Sequence, residues 1–158
     1  MKSKPVYAVL ELDPSARRHL FLTQGPDGRT AACLALAARP SADAVLMTFD
    51  SPASSLDTAL SQAGMETAFY LAGPEVFLWQ TAGRLRQAGV ENRRIRQELT
   101  GSAARRVYCV HCRTMNESVT TALHRCIVCG LNLTVRDHFS RLLSAYMGVT
   151  ADAERLNT

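Results

Sequence analysis

The sequence predicts an α/β protein in which a small parallel three-layer unit precedes a four-cysteine metal module and a C-terminal helix. Strand-like and helix-like segments alternate through the first hundred residues, as in parallel sheets whose strands are joined by helices. Two C-x-x-C pairs follow, thirteen residues apart. Beyond them, apolar residues recur at the i, i+3, i+4, i+7 spacing of a helix over residues 137–146. We therefore expect two domains, residues 1–100 and residues 104–150.

Five segments of the first domain are predicted as strands. Two of them, residues 44–49 and 66–71, are short continuous apolar runs, which are typical of strands buried on both faces of a sheet. The turn-forming residues Gly25-Pro26-Asp27-Gly28 close the second strand. The predicted strands are residues 5–12, 18–23, 44–49, 66–71 and 93–99.

Three helices are predicted between these strands. The first covers the Ala/Leu-rich residues 30–38, and the second covers residues 56–63 and ends at Gly64. The third covers residues 74–88, because proline suits the first position of a helix and Gly89 can end it.

Four of the five cysteines form the C-x-x-C pairs, Cys109 with Cys112 and Cys126 with Cys129. Each pair predicts a tight turn that directs two sulfurs inward, and two such turns make a tetrahedral four-sulfur metal site. Two disulfides or four unrelated thiols are the alternative interpretation. Tetrahedral four-cysteine sites, as in zinc ribbons and rubredoxin-type proteins, hold Zn²⁺ or a single iron.

The residues around the cysteines favour structural zinc, with iron as the alternative. Rubredoxin-type iron sites have glycine after both pairs, whereas here Gly130 follows the second pair and Arg113 follows the first. Tyr108 is the only aromatic residue in or beside the connecting loop, so a redox iron would lack an apolar shield. His111 and His124 are expected to be solvated, since four sulfurs complete the shell; replacement of a cysteine ligand by either histidine is the alternative.

Composition limits the protein class. The chain has 158 residues, of which 47% are apolar, enough for one core and a small appended module. It has neither a run of eighteen apolar residues nor a signal-peptide core near its N-terminus, so we expect a cytoplasmic protein without a membrane partner. Thiolate ligands agree with a reducing compartment. Cys33, the fifth cysteine, lies in an Ala/Leu-rich run and is expected to be buried.

The net charge of +4 comes almost wholly from arginine. Between Arg84 and Arg106, seven arginines accompany only two acidic residues. Arginine favours contacts with phosphate or carboxylate, so nucleic acid, a nucleotide or an acidic protein are candidate partners, and a solvated surface is the alternative. No aromatic residues are interleaved for base stacking, which argues against nucleic acid.

Several segments near the end of the first domain follow a recognisable order: Phe69–Pro74, a helix, Gly89-Val90 and the strand Arg94–Glu98. This order resembles the end of the NAD-binding domain of ferredoxin-reductase-type flavoenzymes, which implies a Rossmann-like fold. Ala72 stands where that family has the cysteine facing the nicotinamide, and no G-x-G-x-x-[TS]-P loop is present. We therefore predict this fold without a bound nucleotide.

The C-terminal third carries a more specific pattern, which comprises Val107–Cys112, Val119–Thr121, Cys126–Gly130, Val135–Arg141 and Ala145–Val149. It resembles the small subunit of dimethylamine (secondary amine) monooxygenase. The resemblance implies a multisubunit NAD(P)H- and O₂-dependent enzyme that N-demethylates dimethylamine to methylamine and formaldehyde. It also implies haem, flavin and [2Fe–2S] centres in partner subunits. Only the four paired cysteines carry over residue by residue.

Four polar residues, Arg136, Asp137, His138 and Arg141, lie within the matched run. The first three are candidates for a subunit contact. A helix start with a capping Asp and exposed charges is the alternative interpretation.

No nucleophile–base pair, paired carboxylates or phosphate loop is evident, so no catalytic or cofactor-binding residues are predicted. The interpretation is a noncatalytic accessory subunit of an amine monooxygenase, with a structural zinc site and a role in assembly. The alternatives are a rubredoxin-like electron-transfer protein with iron, a small NAD-binding oxidoreductase, and a zinc-ribbon module that binds nucleic acid.

Overall fold

The computed structural model describes five stretches of the chain: residues 4–25, 29–38, 43–48, 54–61 and 63–151. The chain divides into two compact units. The first, called the α/β unit below, is Tyr7–Ser102, and the second, called the C-terminal module, is Ala103–Thr158 together with Met1–Val6. No helix in these stretches is both long enough and apolar enough to cross a bilayer.

The α/β unit is built on a four-stranded parallel sheet with strand order β2-β1-β3-β4. The central strand β3 is buried along its whole length, because it is apolar on both faces and has a neighbour on each side. A short 3₁₀ turn at Asn92–Arg94 precedes the last strand. The strands are β1 (Arg18–Thr23), β2 (Asp43–Thr48), β3 (Thr67–Gly73) and β4 (Ile95–Leu99).

Three helices join these strands: α1 (Arg29–Ala38), α2 (Ser54–Ser61) and α3 (Glu75–Gln87). Pro74 is the N-cap of α3 rather than its first residue, so the helix begins one residue later than predicted. Gly89 follows the C-terminus of α3 with a φ of +90°. The predicted parallel sheet and its helices are therefore confirmed. The predicted turn at residues 25–28 lies largely outside the described residues.

Alternate residues of the central strands face opposite layers. On one face, Leu20 and Phe69 pack with side chains of α2 and α3. On the other face, Phe21 and Tyr70 pack with Ala31 of α1 and with Leu10 from the N-terminal segment. The unit thus has two apolar layers, one on each side of the sheet.

The first predicted strand, residues 5–12, is wrong. This segment does not join the sheet. It forms hydrogen bonds with side chains of the α/β unit instead. The Leu10 N–H donates to Glu98 Oε2 at 2.8 Å, and the Tyr7 hydroxyl donates to Glu75 Oε1 at 2.7 Å. The apolar pattern reflects packing of Leu10 on one face of the sheet rather than strand pairing.

Two expectations about burial are also wrong. The run at residues 44–49 was predicted to be buried on both faces, but β2 is at the sheet edge and is half-exposed. Cys33 is exposed. Ala31 and Ala35 face the sheet, and a residue two positions from either lies on the opposite side of a helix with 3.6 residues per turn.

The C-terminal module contains a five-stranded sheet with strand order β6-β5-β9-β8-β7. Strands β5 and β9 are parallel, and the other neighbours are antiparallel. The strands are β5 (Arg105–Cys109), β6 (Met115–Val119), β7 (Leu123–Arg125), β8 (Asn132–Ser140) and β9 (Ala145–Thr150).

The predicted C-terminal helix is wrong, because residues 137–146 lie in a hairpin of β8 and β9. Phe139 and Tyr146 are cross-strand partners whose ring centroids lie 5.0 Å apart, edge to face. Leu142, between them in the helical pattern, is 93% exposed in the turn. Asp137 caps no helix and pairs instead with Lys4, at 3.6 Å.

Candidate metal centre

The first C-x-x-C turn connects β5 to β6. Cys109 is the last residue of β5, and its N–H donates to the carbonyl of Thr114 at 2.9 Å. The N–H of Arg113 donates back to the carbonyl of Cys109 at 2.8 Å. These two bonds fold the chain so that both cysteines of the turn are held close together.

The second turn connects β7 to β8 and repeats the same bonds. The N–H of Cys126 donates to the carbonyl of Leu131 at 2.9 Å, and the N–H of Gly130 donates to the carbonyl of Cys126 at 3.0 Å. The residue after each pair is left-handed: φ is +71° at Gly130 and +63° at Arg113. Arginine in this region costs about 1 kcal/mol, so the missing glycine does not prevent the turn.

The four sulfurs of the two turns lie within 4.8 Å of one another, and we call them the four-sulfur cage. The sulfurs of Cys109 and Cys129 are 3.8 Å apart, and those of Cys112 and Cys126 are 3.5 Å apart. These distances exclude disulfides, whose S–S bond is about 2.05 Å. A tetrahedral ion with metal–sulfur bonds of about 2.3 Å separates its ligand sulfurs by about 3.8 Å. The cage therefore has the dimensions of a zinc or single-iron site.

The ionisation of the four cage cysteines also suits a bound cation. Hydrogen bonds from the side chain and backbone of Thr114 lower the pKa of Cys112 to about 6. Burial raises the pKa of Cys109. Four neighbouring thiols cannot all ionise beside one another unless a positive charge stabilises the thiolates. The cage can accordingly hold a divalent ion, and its proton release on loading should depend on pH.

Asn116, on β6, connects the two turns and was not predicted from the sequence. Its side chain is fully buried. The Oδ1 atom accepts the N–H of Ile127 at 3.0 Å, and Nδ2 lies 3.8 Å from the Cys126 sulfur. The only signal in the sequence is a polar residue that falls on the buried side of a short strand beside the cage.

The two histidines differ. His111 is exposed on the first turn, as expected. His124 is half-buried, and its Nε2 lies 3.2 Å from Asn116 Oδ1, so the expectation of a solvated residue is wrong there. Among the described residues, the group able to hold a metal ion at the two turns consists of the four cysteines alone.

Four of the seven arginines in the arginine-rich region pair with carboxylates, and three of these carboxylates lie elsewhere in the chain. Arg84 pairs with Asp57 at 2.7 Å, and Arg106 pairs with Glu117 at 2.7 Å. Two further pairs are Arg96 with Asp13 and Arg93 with Glu91. The excess of arginine in this part of the sequence therefore does not produce a matching excess of unpaired charge.

Comparison with known proteins identifies the family of this chain. Residues 106–149 match the C-terminal domain of the DmmA-like dimethylamine monooxygenase subunits. The heme-dependent oxidative N-demethylase delta subunit of Ectopseudomonas mendocina (strain ymp) is 34% identical over 158 residues, covering 97% of this chain and 90% of that subunit. The chain belongs to this family of DmmA-like monooxygenase subunits. The family match begins in β5 and ends in β9, so it includes both turns of the cage.

Beyond its family, this DmmA-like chain is similar to phthalate dioxygenase reductase, described as a modular structure for electron transfer from pyridine nucleotides to [2Fe–2S]. The TM-score is 0.37 at 13% identity, and the similarity covers 68% of this chain and 45% of the reductase. The chain thus spans less than half of that protein. A TM-score this low supports no conclusion about the fold or the activity.

The polar residues of the matched run are exposed in this DmmA-like chain. Arg136, Asp137 and His138 lie on β8, and Arg141 lies in the turn after it. The helix start that was the alternative interpretation is therefore wrong. The role of Arg136, Asp137 and His138 in a subunit contact stays a prediction.

Proposed function

We propose that this chain is a small, noncatalytic accessory subunit of a multisubunit oxidative N-demethylase that acts on dimethylamine or another secondary amine with NAD(P)H and O₂. The observation that carries the proposal is the 34% identity to an N-demethylase delta subunit over 97% of the chain. Haem, flavin and [2Fe–2S] centres would belong to partner subunits. Residues 1–100 would form a reductase-like domain without nucleotide, and residues 104–150 the metal module.

We further propose that Cys109, Cys112, Cys126 and Cys129 hold structural zinc. The sulfur–sulfur distances suit a tetrahedral ion, and two cage sulfurs lie within a small core with Leu133. Cys112 and Cys129 are only half-buried, which leaves the site short of the closed apolar surroundings that favour a redox iron. The ion would fold the module, and the folded module would serve in assembly.

Co-expression with the haem- and flavin-containing subunits tests the proposed function. The tagged chain should retain these subunits through affinity purification and size exclusion. Elemental analysis should find one zinc per chain, and the isolated chain should be colourless, whereas a ferric four-thiolate site is red. A chain that never associates with such subunits would contradict the accessory role. One iron per chain instead of zinc would contradict the structural zinc site and favour an electron-transfer role.

A further inference from the structure

The residues between the cysteines of the two turns are exposed and mainly aliphatic. Ile127 is 71% exposed, Val128 is 66% exposed and Val110 is 41% exposed. With the exposed His111 they form what we call the knuckle face. Val110, Ile127 and Val128 do not belong to the apolar cluster at the cage, and exposed apolar clusters in soluble domains commonly mark interaction sites.

The cage is least covered beside the same residues. In each turn the first cysteine, Cys109 or Cys126, is buried, whereas the second, Cys112 or Cys129, is half-buried. Cys129 directly follows the exposed Val128, and Cys112 directly follows the exposed His111. A partner that covered the knuckle face would therefore also remove the cage sulfurs from water.

The knuckle face is flanked by unneutralised positive charge. Arg113 follows the first turn and Arg125 precedes the second, and both are exposed. In the described part of the chain neither pairs with a carboxylate, although Arg125 Nε donates to the Gly130 carbonyl at 3.0 Å. The acidic residues between 103 and 151 are Glu117 and Asp137, and Arg106 and Lys4 already pair with them.

We propose that the knuckle face is the docking surface for a partner subunit of the N-demethylase, which presents an apolar centre bordered by Asp and Glu. The proposal rests on the proposed function and adds the place where the complex forms. An apolar centre with a charged rim is the usual composition of a protein interface. Three of the four knuckle-face side chains are aliphatic and offer no ring for base stacking, which favours a protein over a nucleic acid.

The test compares three full-length chains for binding to the purified haem- and flavin-containing subunits, with metal per chain measured in each. The variant Ile127→Asp/Val128→Asp puts charge in the centre of the knuckle face. The control Leu142→Asp makes the same change at a 93% exposed position in the β8–β9 turn. We expect the double variant to bind at least about tenfold more weakly, as for central interface residues, and the control to bind like wild type. Raising the salt should weaken wild-type binding, because the rim charges are exposed.

Each result is decisive. Equal binding by wild type and the double variant overturns the docking surface while leaving the proposed function intact. Failure of wild type to bind overturns both. A wild-type dimer that the double variant abolishes assigns the face to a second copy and also overturns the proposal. If the double variant loses its metal, Arg113→Glu serves in its place: weaker binding with full metal content supports the proposal, and unchanged binding overturns it.

Discussion

Asn116 holds together two turns that come from different hairpins of the module. Its side chain reaches the backbone of Ile127 and the sulfur of Cys126 in the second turn, while it is attached to the strand that leaves the first. Residues that orient metal ligands without touching the ion commonly contribute as much as one or two orders of magnitude in metal affinity. Asn116 is therefore expected to contribute to the geometry of the cage without binding the ion.

Replacement of Asn116 by alanine should weaken metal binding. The Ile127 N–H loses its acceptor and the Cys126 sulfur loses a polar neighbour, so we expect about a 10–100-fold lower metal affinity in chelator competition. Asn132→Ala, at an exposed position on β8, is the matched control and should bind metal like wild type. An unchanged affinity for the Asn116 variant would show that the backbone alone positions the sulfurs.

The four cysteines could be predicted from the sequence, whereas Asn116 could not. The C-x-x-C spacing forces a local turn, and local turns need no knowledge of the rest of the fold. Asn116 acts across 10 residues on Cys126, through pairing of β5 with β6 that no single-residue pattern reveals. The positive φ of Arg113 could not be predicted either, since the turn imposes it on a residue that does not favour it.

His19 is a buried ionisable residue in the α/β unit. Its Nδ1 lies 2.8 Å from the Tyr70 hydroxyl, which itself accepts the Asp13 N–H. Burial lowers the pKa of His19 below 6.5. The folded state therefore favours neutral His19, whose Nδ1 can accept the Tyr70 proton.

The stability of the α/β unit should fall with pH below about 6.5. The unfolded state protonates His19 at its ordinary pKa near 6.5, whereas the folded state resists protonation. The contribution of neutral His19 to stability is therefore fully present above that pH and decreases as the pH falls toward the lower pKa of the folded state. Trp79 is the only tryptophan and His19 the only histidine between residues 7 and 102. The free energy of unfolding, measured in urea by Trp79 fluorescence, should decrease from pH 7 to pH 5.5. In the His19→Gln variant this decrease should be smaller.

The hairpin of β8 and β9 shows why the helix predicted over residues 137–146 does not form. Phe139 and Tyr146 stand seven residues apart, which places them on one side of a helix and also opposite each other across a short hairpin. The choice was decided by long-range pairing of β9 with β5, in which Val107 lies opposite Tyr146. Helical spacing in a short segment cannot exclude such a partner. The parallel sheet was more predictable, because β3 is an uninterrupted apolar run.

Gly148 on β9 allows three strands to pack closely. A Cβ at this position would lie 2.8 Å from Val107 Cγ1 and 3.0 Å from Leu133 Cδ1. Gly148→Ala should destabilise the C-terminal module by about 1–3 kcal/mol through overpacking. Gly83→Ala is the opposite control: its Cβ would meet nothing within 4 Å, and removing a helix glycine should stabilise the α/β unit by about 0.4–1 kcal/mol. Denaturant unfolding of both variants checks the two signs.

At the scale of the whole molecule, the two units have separate cores of different kinds. The α/β unit buries aliphatic and aromatic side chains on both sides of its sheet. The core at the cage consists of Leu133 and the sulfurs of Cys109 and Cys126, with Leu131 and the other two cysteines packed against it. The module also buries Val107, Val119, Phe139 and Tyr146, and an ion held in the cage would add its binding energy to that of this apolar packing.

Loss of the metal should unfold the C-terminal module and leave the α/β unit folded. Cys129→Ser, or a chelator in excess, should make residues 106–135 sensitive to protease while the fluorescence of Trp79 stays unchanged, because Trp79 reports on the other unit. Cys33→Ser is the control and should retain metal and protease resistance. Survival of a protease-resistant module without metal would contradict a structural role for the ion.

Because Cys33 on α1 is exposed, thiol labelling can measure how much of the protein carries an ion in the cage. An ion in the cage ties up four of the five cysteines, which leaves Cys33 as the single group open to a maleimide dye. One dye per chain would then report full occupancy, and each ion lost would add as many as four more. The same cysteine offers an attachment point for distance measurements within an assembled enzyme.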